Sequence, residues 1–340
     1  MNSYRDHPLY KSSATKRGPV DAGLEMEANA GNEVDPSRTL KRRIGSWLYP
    51  LKNALQRGLV EHRLRSVGVA ADKIDEPDII CFGQKGFANE IFLSQIRPLV
   101  GNLGTIVCFG CGAGQEVALV SRVLRPRRVI GLDFFSYQQA WSRVTQRVKT
   151  KFGVEVNFER LDLQNDRTKE ACHADMVISF SVLEHLREMD DCLENISGFL
   201  NGDGFFASLW GPLWYSYSGD HISVELGFEH AYEHLELSAS DYWAFYLNHP
   251  RNRADVSVGK PTWLELGLHN FARYDEYIAS LERWFGPVQF LKWQLSQEAF
   301  RWAKAYPNRW QRILGAHPGV TPLDLALGGA AVLARNREAH

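Results

Sequence analysis

The sequence contains the stretch Ile106-Val107-Cys108-Phe109-Gly110-Cys111-Gly112-Ala113-Gly114-Gln115-Glu116, in which an apolar run leads into three glycines and then into an amphipathic segment. This order predicts a buried strand, a tight turn and a helix. Glycines allow the sharp turn, and they remove the Cβ atoms that would block a ligand lying across the strand end. The stretch therefore predicts a backbone-lined binding site at the carboxyl end of a strand.

An acidic residue follows this loop at a suitable distance for a nucleoside. Asp133 ends the next apolar run, 19 residues after Gly114. A carboxylate in this position accepts hydrogen bonds from ribose hydroxyls. The glycines are spaced G-x-G-x-G, whereas a pyrophosphate-binding dinucleotide loop has the pattern G-x-G-x-x-G. The loop and Asp133 together indicate an adenosine-type ligand, with a nicotinamide dinucleotide as the alternative.

Strand-like and helix-like segments alternate along the chain outward from this loop. Strands are predicted at 105–109, 128–132, 154–161, 176–180 and 204–209, and helices at 87–100, 116–124, 136–151 and 183–200. Such alternation predicts an α/β fold with a doubly wound, mostly parallel sheet and helices on both faces.

Two further strand ends complete a recognisable set. Asp162 and Leu163 follow the third of these strands. The next segment, from Asp175 to Leu186, contains Ser179, Ser181 and Glu184-His185. In this order the chain resembles the class I S-adenosylmethionine-dependent methyltransferases, over about residues 82–210 and more loosely to about 336. The resemblance implies a Rossmann-like seven-stranded sheet whose last two strands, near 288–295 and 329–335, form an antiparallel hairpin at the edge.

The resemblance also implies roles for individual residues, with S-adenosyl-L-methionine as the cofactor. The glycine loop would lie under its methionine and ribose parts, Asp133 would hold the ribose, and Ser179 and Ser181 would flank the methionine arm. Asp162 and Leu163 would address the adenine. The implied cofactor-binding set is Gly110, Gly112, Gly114, Glu116, Asp133, Asp162, Leu163, Ser179 and Ser181.

One position departs from the family pattern. Cys108 stands where the family often has an acidic residue that orders the loop. Glu116, in the first turn of the next helix, can supply the missing charge, although an acid there also suits the helix dipole, so both roles stay open. Cys108 and Cys111 have the spacing of a metal or redox pair, but they span a strand and a turn and no second pair exists, so no metal is expected.

An aromatic segment follows the fifth strand, at about 211–262. Eight of the ten tryptophans lie beyond residue 200. Because open parallel sheets bind ligands at the carboxyl ends of their strands, this segment is interpreted as an acceptor-site insertion. The predicted acceptor-binding residues are Trp210, Trp214, Tyr215, Tyr217, His230 and His234.

His221 in this insertion is the predicted catalytic residue. Its ordinary pKa suits removal of a proton from a hydroxyl acceptor near neutral pH, with a loop-capping or pocket-wall role as the alternative. His230 and His234 are four residues apart, but they lack a third placed ligand, so no metal is expected there either.

Composition limits the partners. The chain has 39 Lys+Arg against 40 Asp+Glu, a net charge of −1, and the N/D-P-P-Y/F motif does not follow the fourth strand. Nucleic acid is therefore not the expected substrate. Five scattered cysteines form no disulfide framework, and no apolar run reaches about 18 residues. These features predict a cytoplasmic location.

Three regions are predicted along the chain. Residues 1–38 are expected to be a disordered leader, 39–80 a helical cap, and 81–336 the cofactor-binding domain. The cap has a leucine stripe that is expected to pack on the body, and its other face carries Lys41, Arg42, Arg43, Lys52 and Arg57. Contact of this basic face with a membrane surface is a less favoured alternative.

The predicted function is S-adenosylmethionine-dependent methyl transfer to a small-molecule or sugar-containing (glycan) acceptor at oxygen. Two alternatives from other classes stay open. One is a non-catalytic adenosyl-binding or scaffold protein, which the Cys108 departure would explain. The other is a nicotinamide-dependent oxidoreductase, which Asp133 would tolerate.

Overall fold

A computed structural model of the chain describes residues 62, 65–68, 81–82, 89–162 and 173–337. The predicted leader and nearly all of the predicted helical cap lie outside the described residues, as does Leu163. The expectations for those segments therefore stay predictions.

The described strands form one eight-stranded sheet in the order β1-β7-β8-β6-β5-β2-β3-β4. Their bounds are β1 Cys81–Phe82, β2 Thr105–Phe109, β3 Arg128–Asp133, β4 Glu155–Arg160, β5 Ala174–Phe180, β6 Leu200–Trp210, β7 Phe285–Leu295 and β8 Leu327–Asn336. Strands β2 to β6 pair in parallel, and β8 lies antiparallel between β6 and β7. The doubly wound, mostly parallel α/β fold is confirmed.

The sheet has one strand more than the seven predicted. The additional strand, β1, pairs in parallel with β7, so the antiparallel pair of β7 and β8 is not the outermost part of the described sheet. Two residues, Cys81 and Phe82, are too few to show an alternating pattern, which is why the sequence does not reveal this strand.

Helices cover the sheet and form most of the insertion. Their bounds are α1 Asn89–Val100, α2 Gln115–Leu124, α3 Gln138–Phe152, α4 Met189–Phe199, α5 Glu233–Glu236, α6 Ala239–Asn248, α7 Pro250–Ser257, α8 Tyr274–Trp284, α9 Gln297–Ala305, α10 Pro307–Ala316 and α11 Pro322–Ala326. Among the described residues, no helix combines the length and the apolar character needed to cross a membrane.

The helix predicted at 183–200 is interrupted. A 3₁₀ turn occupies Leu183–His185, and α4 begins only at Met189. The side chain of Asn270 donates to the Leu183 carbonyl at 2.6 Å, and its backbone N–H donates to the Glu184 carbonyl at 3.2 Å. These two hydrogen bonds tie the 3₁₀ turn to a distant loop, while the Leu183 carbonyl also accepts from the Leu186 N–H at 3.3 Å within the turn.

Alternation along β2 shows how the sheet is buried on both faces. Val107 and Phe109 belong to a core that includes residues of α4 and α8, whereas Ile106 and Cys108 belong to the opposite core with α1 and α2. A strand that is covered on both faces has a continuous apolar sequence. This placement leaves the carboxyl ends of β2, β3 and β5 side by side at one edge of the sheet.

Candidate active site

The glycine loop connects the end of β2 to the start of α2. Gly110, Gly112 and Gly114 have φ values of 66°, 50° and 91°, in the left-handed region. A Cβ on Gly110 would lie 2.2 Å from Cγ2 of Val182, and one on Gly114 would lie 2.8 Å from Cζ of Phe158. Gly110 and Gly114 are therefore required by the packing of the protein itself, while Gly112 has open space around it.

Asp133 joins this loop to the end of β3. Its Oδ2 accepts a hydrogen bond from the Gly112 N–H at 2.7 Å, and its Oδ1 accepts one from the Phe135 N–H at 2.9 Å. Burial raises the pKa of this carboxyl group, against the opposing effect of the backbone donors. A carboxylate offers about four acceptor positions, so each oxygen keeps one for a ligand.

A cavity of about 260 Å³ lies at this edge of the sheet. Four of the predicted cofactor residues line it: Gly110, Asp133, Asp162 and Ser181. The remaining lining residues are Phe109, Phe134, Phe135, Tyr137, Leu161, Val182, His185, Leu186, Trp263 and Leu268. The topology thus brings the ends of four strands, β2 to β5, to one shared concave site.

Glu116 lies next to this site without lining the cavity. Burial raises the pKa of its carboxyl group, and the negative charge of Asp133 raises it further. Burial also raises the pKa of the Cys108 thiol well above its usual range, and it raises the pKa of the Cys111 thiol as well. Because only a thiolate binds metal or reacts readily, this cysteine pair shows no sign of either chemistry.

The two predicted serines lie in different environments. Ser181 lines the cavity and has a φ of 54°, in the left-handed region. Ser179 is fully buried, and its Oγ lies 2.8 Å from Oγ of Ser208 on the neighbouring strand. The structure therefore brings Ser181 to the cavity. Ser179 lies below the cavity, where its contact with Ser208 connects β5 to β6.

We expect Ser179→Ala to lower the free energy of unfolding by about 1–3 kcal/mol, because Ser208 loses its buried partner. The affinity for S-adenosylhomocysteine should stay within about twofold of the wild-type value. Urea denaturation and calorimetric titration measure the two quantities. A large loss of affinity with unchanged stability would instead place Ser179 against the cofactor.

The predicted acceptor-binding aromatic residues do not line this cavity. Trp210 is 1% exposed and packs on Tyr277, and Trp214 is 2% exposed with its ring centroid 4.6 Å from that of Phe271. Tyr215 is also buried. These side chains form the core that holds the insertion onto the domain.

The other predicted acceptor residues have partners within the insertion. Tyr217 is half-buried against Phe228. His230 Nδ1 lies 3.0 Å from a carboxylate oxygen of Glu233. His234 is buried, and its Nε2 donates to the Trp214 carbonyl at 2.7 Å. None of these three residues lines the cavity.

The aromatic lining comes instead from positions that the sequence pattern did not single out. Phe134, Phe135 and Tyr137 directly follow Asp133, and Trp263 lies just beyond the predicted insertion. The position of the first three, immediately after a strand end that carries a ligand carboxylate, is a signal that sequence reasoning could have used.

Three histidines meet at one end of the cavity. One ring nitrogen of each of His185, His221 and His269 lies within 4.8 Å of one ring nitrogen of the other two. His185 lines the cavity, and its ring centroid lies 5.1 Å from that of His221. Trp263 packs edge-on against His185, at 4.9 Å between centroids. His269 carries no sequence motif, and only the tertiary fold brings it here.

These imidazoles are neutral near pH 7. Burial lowers the pKa of His185 to about 4 and that of His221 to about 3, and the neighbouring histidines lower the latter further. Burial also lowers the pKa of His269 well below its usual range. Nδ1 of His185 lies 2.7 Å from the Leu268 carbonyl, which can only accept, so Nδ1 carries the hydrogen and Nε2 carries a lone pair.

The backbone at His221 is held in an unfavourable conformation. Its φ is 66°, a left-handed value that costs a side chain other than glycine about 1 kcal/mol or more. The His221 N–H donates to the Ser218 carbonyl at 3.0 Å, and Arg251 donates to the His221 carbonyl at 3.3 Å. These contacts hold the backbone at His221 in this conformation.

A family model described as a methyltransferase domain matches residues 107–206. The matched part runs from β2 to β6 and includes the glycine loop, Asp133, Asp162 and the strand end at Ser179 to His185. This match shows a methyltransferase domain over residues 107–206, and it confirms the resemblance to the S-adenosylmethionine-dependent methyltransferases over this part of the chain. This methyltransferase is therefore an enzyme whose cofactor is S-adenosylmethionine, as the resemblance implied, and neither of the two alternative functions is needed.

Several solved structures are similar to this chain at low identity. The YcgJ protein of Bacillus subtilis is 12% identical, with 73% of this chain and 99% of that chain covered and a TM-score of 0.41. Geranyl diphosphate C-methyltransferase from Streptomyces coelicolor A3(2) is 13% identical, with 72% and 74% covered and a TM-score of 0.38. N-methyltransferase NodS from Bradyrhizobium japonicum WM9 is 13% identical, with 73% and 94% covered and a TM-score of 0.38.

A comparison with curated proteins gives no match.

The residues around the cavity fit the cofactor of a methyltransferase. Asp133 has one acceptor position left on each oxygen, which suits two neighbouring ribose hydroxyls. Gly112 leaves open space where a Cβ would project, and Phe134 and Phe135 offer apolar rings to a flat base. Asp162 lines the same cavity and can accept from an amino group. When bound, the cofactor supplies a methyl group on a positively charged sulfur.

Proposed function

We propose that the enzyme methylates a hydroxyl oxygen of a small-molecule or sugar-containing acceptor. The observation that carries this proposal is the neutral imidazole of His185 in the wall of the cavity that Asp133 and Asp162 also line. His221 lies directly behind it, with 5.1 Å between the ring centroids. A hydroxyl, unlike a thiolate, must lose a proton during methyl transfer, and nitrogen lone pairs at this place support that step.

The role of these imidazoles is to offer nitrogen lone pairs at the place where the acceptor is oriented. His185 Nε2 keeps its lone pair because Nδ1 is fixed on the Leu268 carbonyl. Displacement at a methyl carbon requires the nucleophile in line with the leaving sulfur, so positioning contributes much of the rate. Because burial disfavours full protonation of His185 and His221, an isolated imidazole here is a weak proton acceptor.

The class of acceptor follows from the wall of the cavity. Trp263 and Tyr137 contribute aromatic rings, and Leu268 and Leu186 add apolar surface. Such walls suit the face of a ring or of a sugar stacked on an aromatic side chain. The net charge of −1 gives no general attraction for nucleic acid.

The first experiment is calorimetric titration of the full chain with S-adenosylmethionine, S-adenosylhomocysteine and NADH. We expect saturable binding of both adenosyl ligands and none of NADH. Transfer of labelled methyl groups is then measured on phenols, catechols and glycosides, with anilines and thiols of the same ring size as matched acceptors.

The outcomes separate the parts of the proposal. Label on hydroxyl acceptors and not on their amine or thiol analogues supports the oxygen assignment, whereas label on amines alone contradicts it. Failure of both adenosyl ligands to bind would contradict the assignment of the cavity to the cofactor.

A further inference from the structure

We propose that His185, His221 and His269 together bind a divalent transition metal ion of the zinc type at the end of the cofactor cavity. The part assigned below to this ion in methyl transfer rests on the proposed function. The binding site itself rests on the geometry of the three side chains and not on the identity of the acceptor.

The donor set is suited to such an ion. Neutral imidazole nitrogens are preferred ligands of zinc, cobalt, nickel and copper. Three protein ligands with a further position left open are the arrangement of catalytic zinc sites, whereas structural sites use four. Among the described residues, these three histidines are the group of side chains that meets this condition.

The tautomer of His185 is already the one that a ligand needs. Its Nδ1–H donates to the Leu268 carbonyl at 2.7 Å, which leaves Nε2 as the coordinating atom. Histidine ligands of metals generally donate their other ring N–H to a carbonyl or carboxylate in this way, which fixes the ring and raises its basicity.

The other two histidines have unused nitrogens in the interior. Nε2 of His221 and Nε2 of His269 are buried without a hydrogen-bond partner among the described residues. Each such atom costs about 1–3 kcal/mol when it stays unsatisfied. Nδ1 of His234 and Nε2 of His249 are also buried without a partner among the described residues, but neither residue belongs to the group of three. The cluster differs from them because one ring nitrogen of each of its three histidines lies within 4.8 Å of the other two.

The three ring nitrogens must move slightly closer together to bind one ion. Ring nitrogens around tetrahedral zinc lie about 3.4 Å apart, since each bond is about 2.0–2.1 Å long. The three nitrogens here lie within 4.8 Å of one another. Side-chain rotations that move each nitrogen by about 1 Å therefore complete the site. His185 and His221 are half-buried and face the cavity end, where such rotations are possible.

The nearest described cation does not prevent binding. Arg251 lowers the pKa of His221 by its charge, but it also lies 3.2 Å from a carboxylate oxygen of Glu225. This pair is about half exposed, so solvent screens it further. Trp263 packs against both His185 and His221.

An ion in this place explains how weakly basic imidazoles can activate a hydroxyl. Coordination to the open position lowers the pKa of the acceptor hydroxyl, and its proton passes to solvent water. The oxygen then forms a bond to the methyl carbon while the carbon–sulfur bond breaks, and the sulfur keeps the electron pair.

The test is titration of the full chain, without an affinity tag and after treatment with EDTA, with Co²⁺ and Zn²⁺. We expect one Co²⁺ per chain with visible absorption bands of a four- or five-coordinate ion, and competition by Zn²⁺. His185→Gln, His221→Gln and His269→Gln should each lower the affinity about 100-fold. His230→Gln removes a half-buried histidine outside the cluster, so it should leave the affinity unchanged.

Measurement of S-adenosylhomocysteine binding shows that the His221 and His269 variants are folded, because neither residue lines the cavity. Metal binding that survives all three substitutions, or that is lost equally with His230→Gln, would overturn the site. Methyl transfer that is unchanged by EDTA would overturn the catalytic part. Failure of the adenosyl ligands to bind would contradict the proposed function and not the metal site, because Co²⁺ is titrated without them.

Discussion

Replacement of Asp133 by asparagine is expected to lower the affinity for S-adenosylhomocysteine at least about 100-fold. The carboxylate is the group that both lines the cavity and holds the Gly112 N–H at 2.7 Å. Asparagine has a single acceptor oxygen, so it must present an NH₂ group either to a backbone N–H or to the ribose. Loss of two hydrogen bonds to a charged group costs about 3 kcal/mol or more, which corresponds to the stated change in affinity.

Calorimetric titration measures this effect, and the unfolding transition reports on the fold. The matched control is Asp191→Asn, which changes an exposed acid in the first turn of α4 and should bind as tightly as the wild type. Equal affinity of the Asp133 variant and the control would remove Asp133 from the cofactor site.

Gly219→Ala is expected to lower the free energy of unfolding by about 3 kcal/mol or more. A Cβ at this position would lie 2.0 Å from the Trp214 carbonyl oxygen and 2.3 Å from that of Leu213. Both are backbone atoms, so no side-chain rotation can relieve the contact. The turn also leads directly into His221, and the substitution should therefore weaken Co²⁺ binding as well.

Urea denaturation measures the stability of this variant. The matched control is Gly198→Ala in α4, where a Cβ meets nothing within 4 Å and φ is not positive. There alanine should stabilise the protein by about 0.5–1 kcal/mol, because it reduces the freedom of the unfolded chain. Unchanged stability of the Gly219 variant would mean that the turn differs from the one described.

The sequence predicts the central part of the fold well. Thr105–Phe109 is recovered without error, because a strand covered on both faces has a continuous apolar sequence bounded by glycine. The segment at 183–200 is predicted less well. Its pattern favours one helix, but the hydrogen bonds from Asn270 to the carbonyls of Leu183 and Glu184 come from a loop more than 80 residues away. No local pattern contains that information.

In the candidate site, too, some residues are predicted from local sequence and others depend on contacts between distant parts of the chain. Asp133, Asp162 and Ser181 are found from sequence because strand ends in an open α/β sheet share one edge. The sequence predicts Trp214 as an acceptor-binding residue, whereas the structure buries it, because composition does not distinguish a tryptophan that lines a pocket from one that fills a core. Trp214 belongs to the core. His269 has no pattern around it, and only its position beside His185 and His221 gives it a role.

The left-handed backbone at His221 affects which residue a selection for stability favours at this position. Glycine would adopt this conformation without strain, so a selection for heat resistance alone would favour replacing the histidine. If the proposed metal site exists, robustness and metal binding are opposed at this single position. A library sorted only by survival at high temperature should then accumulate well-folded proteins without the imidazole, and a sort for Co²⁺ binding is needed to retain it.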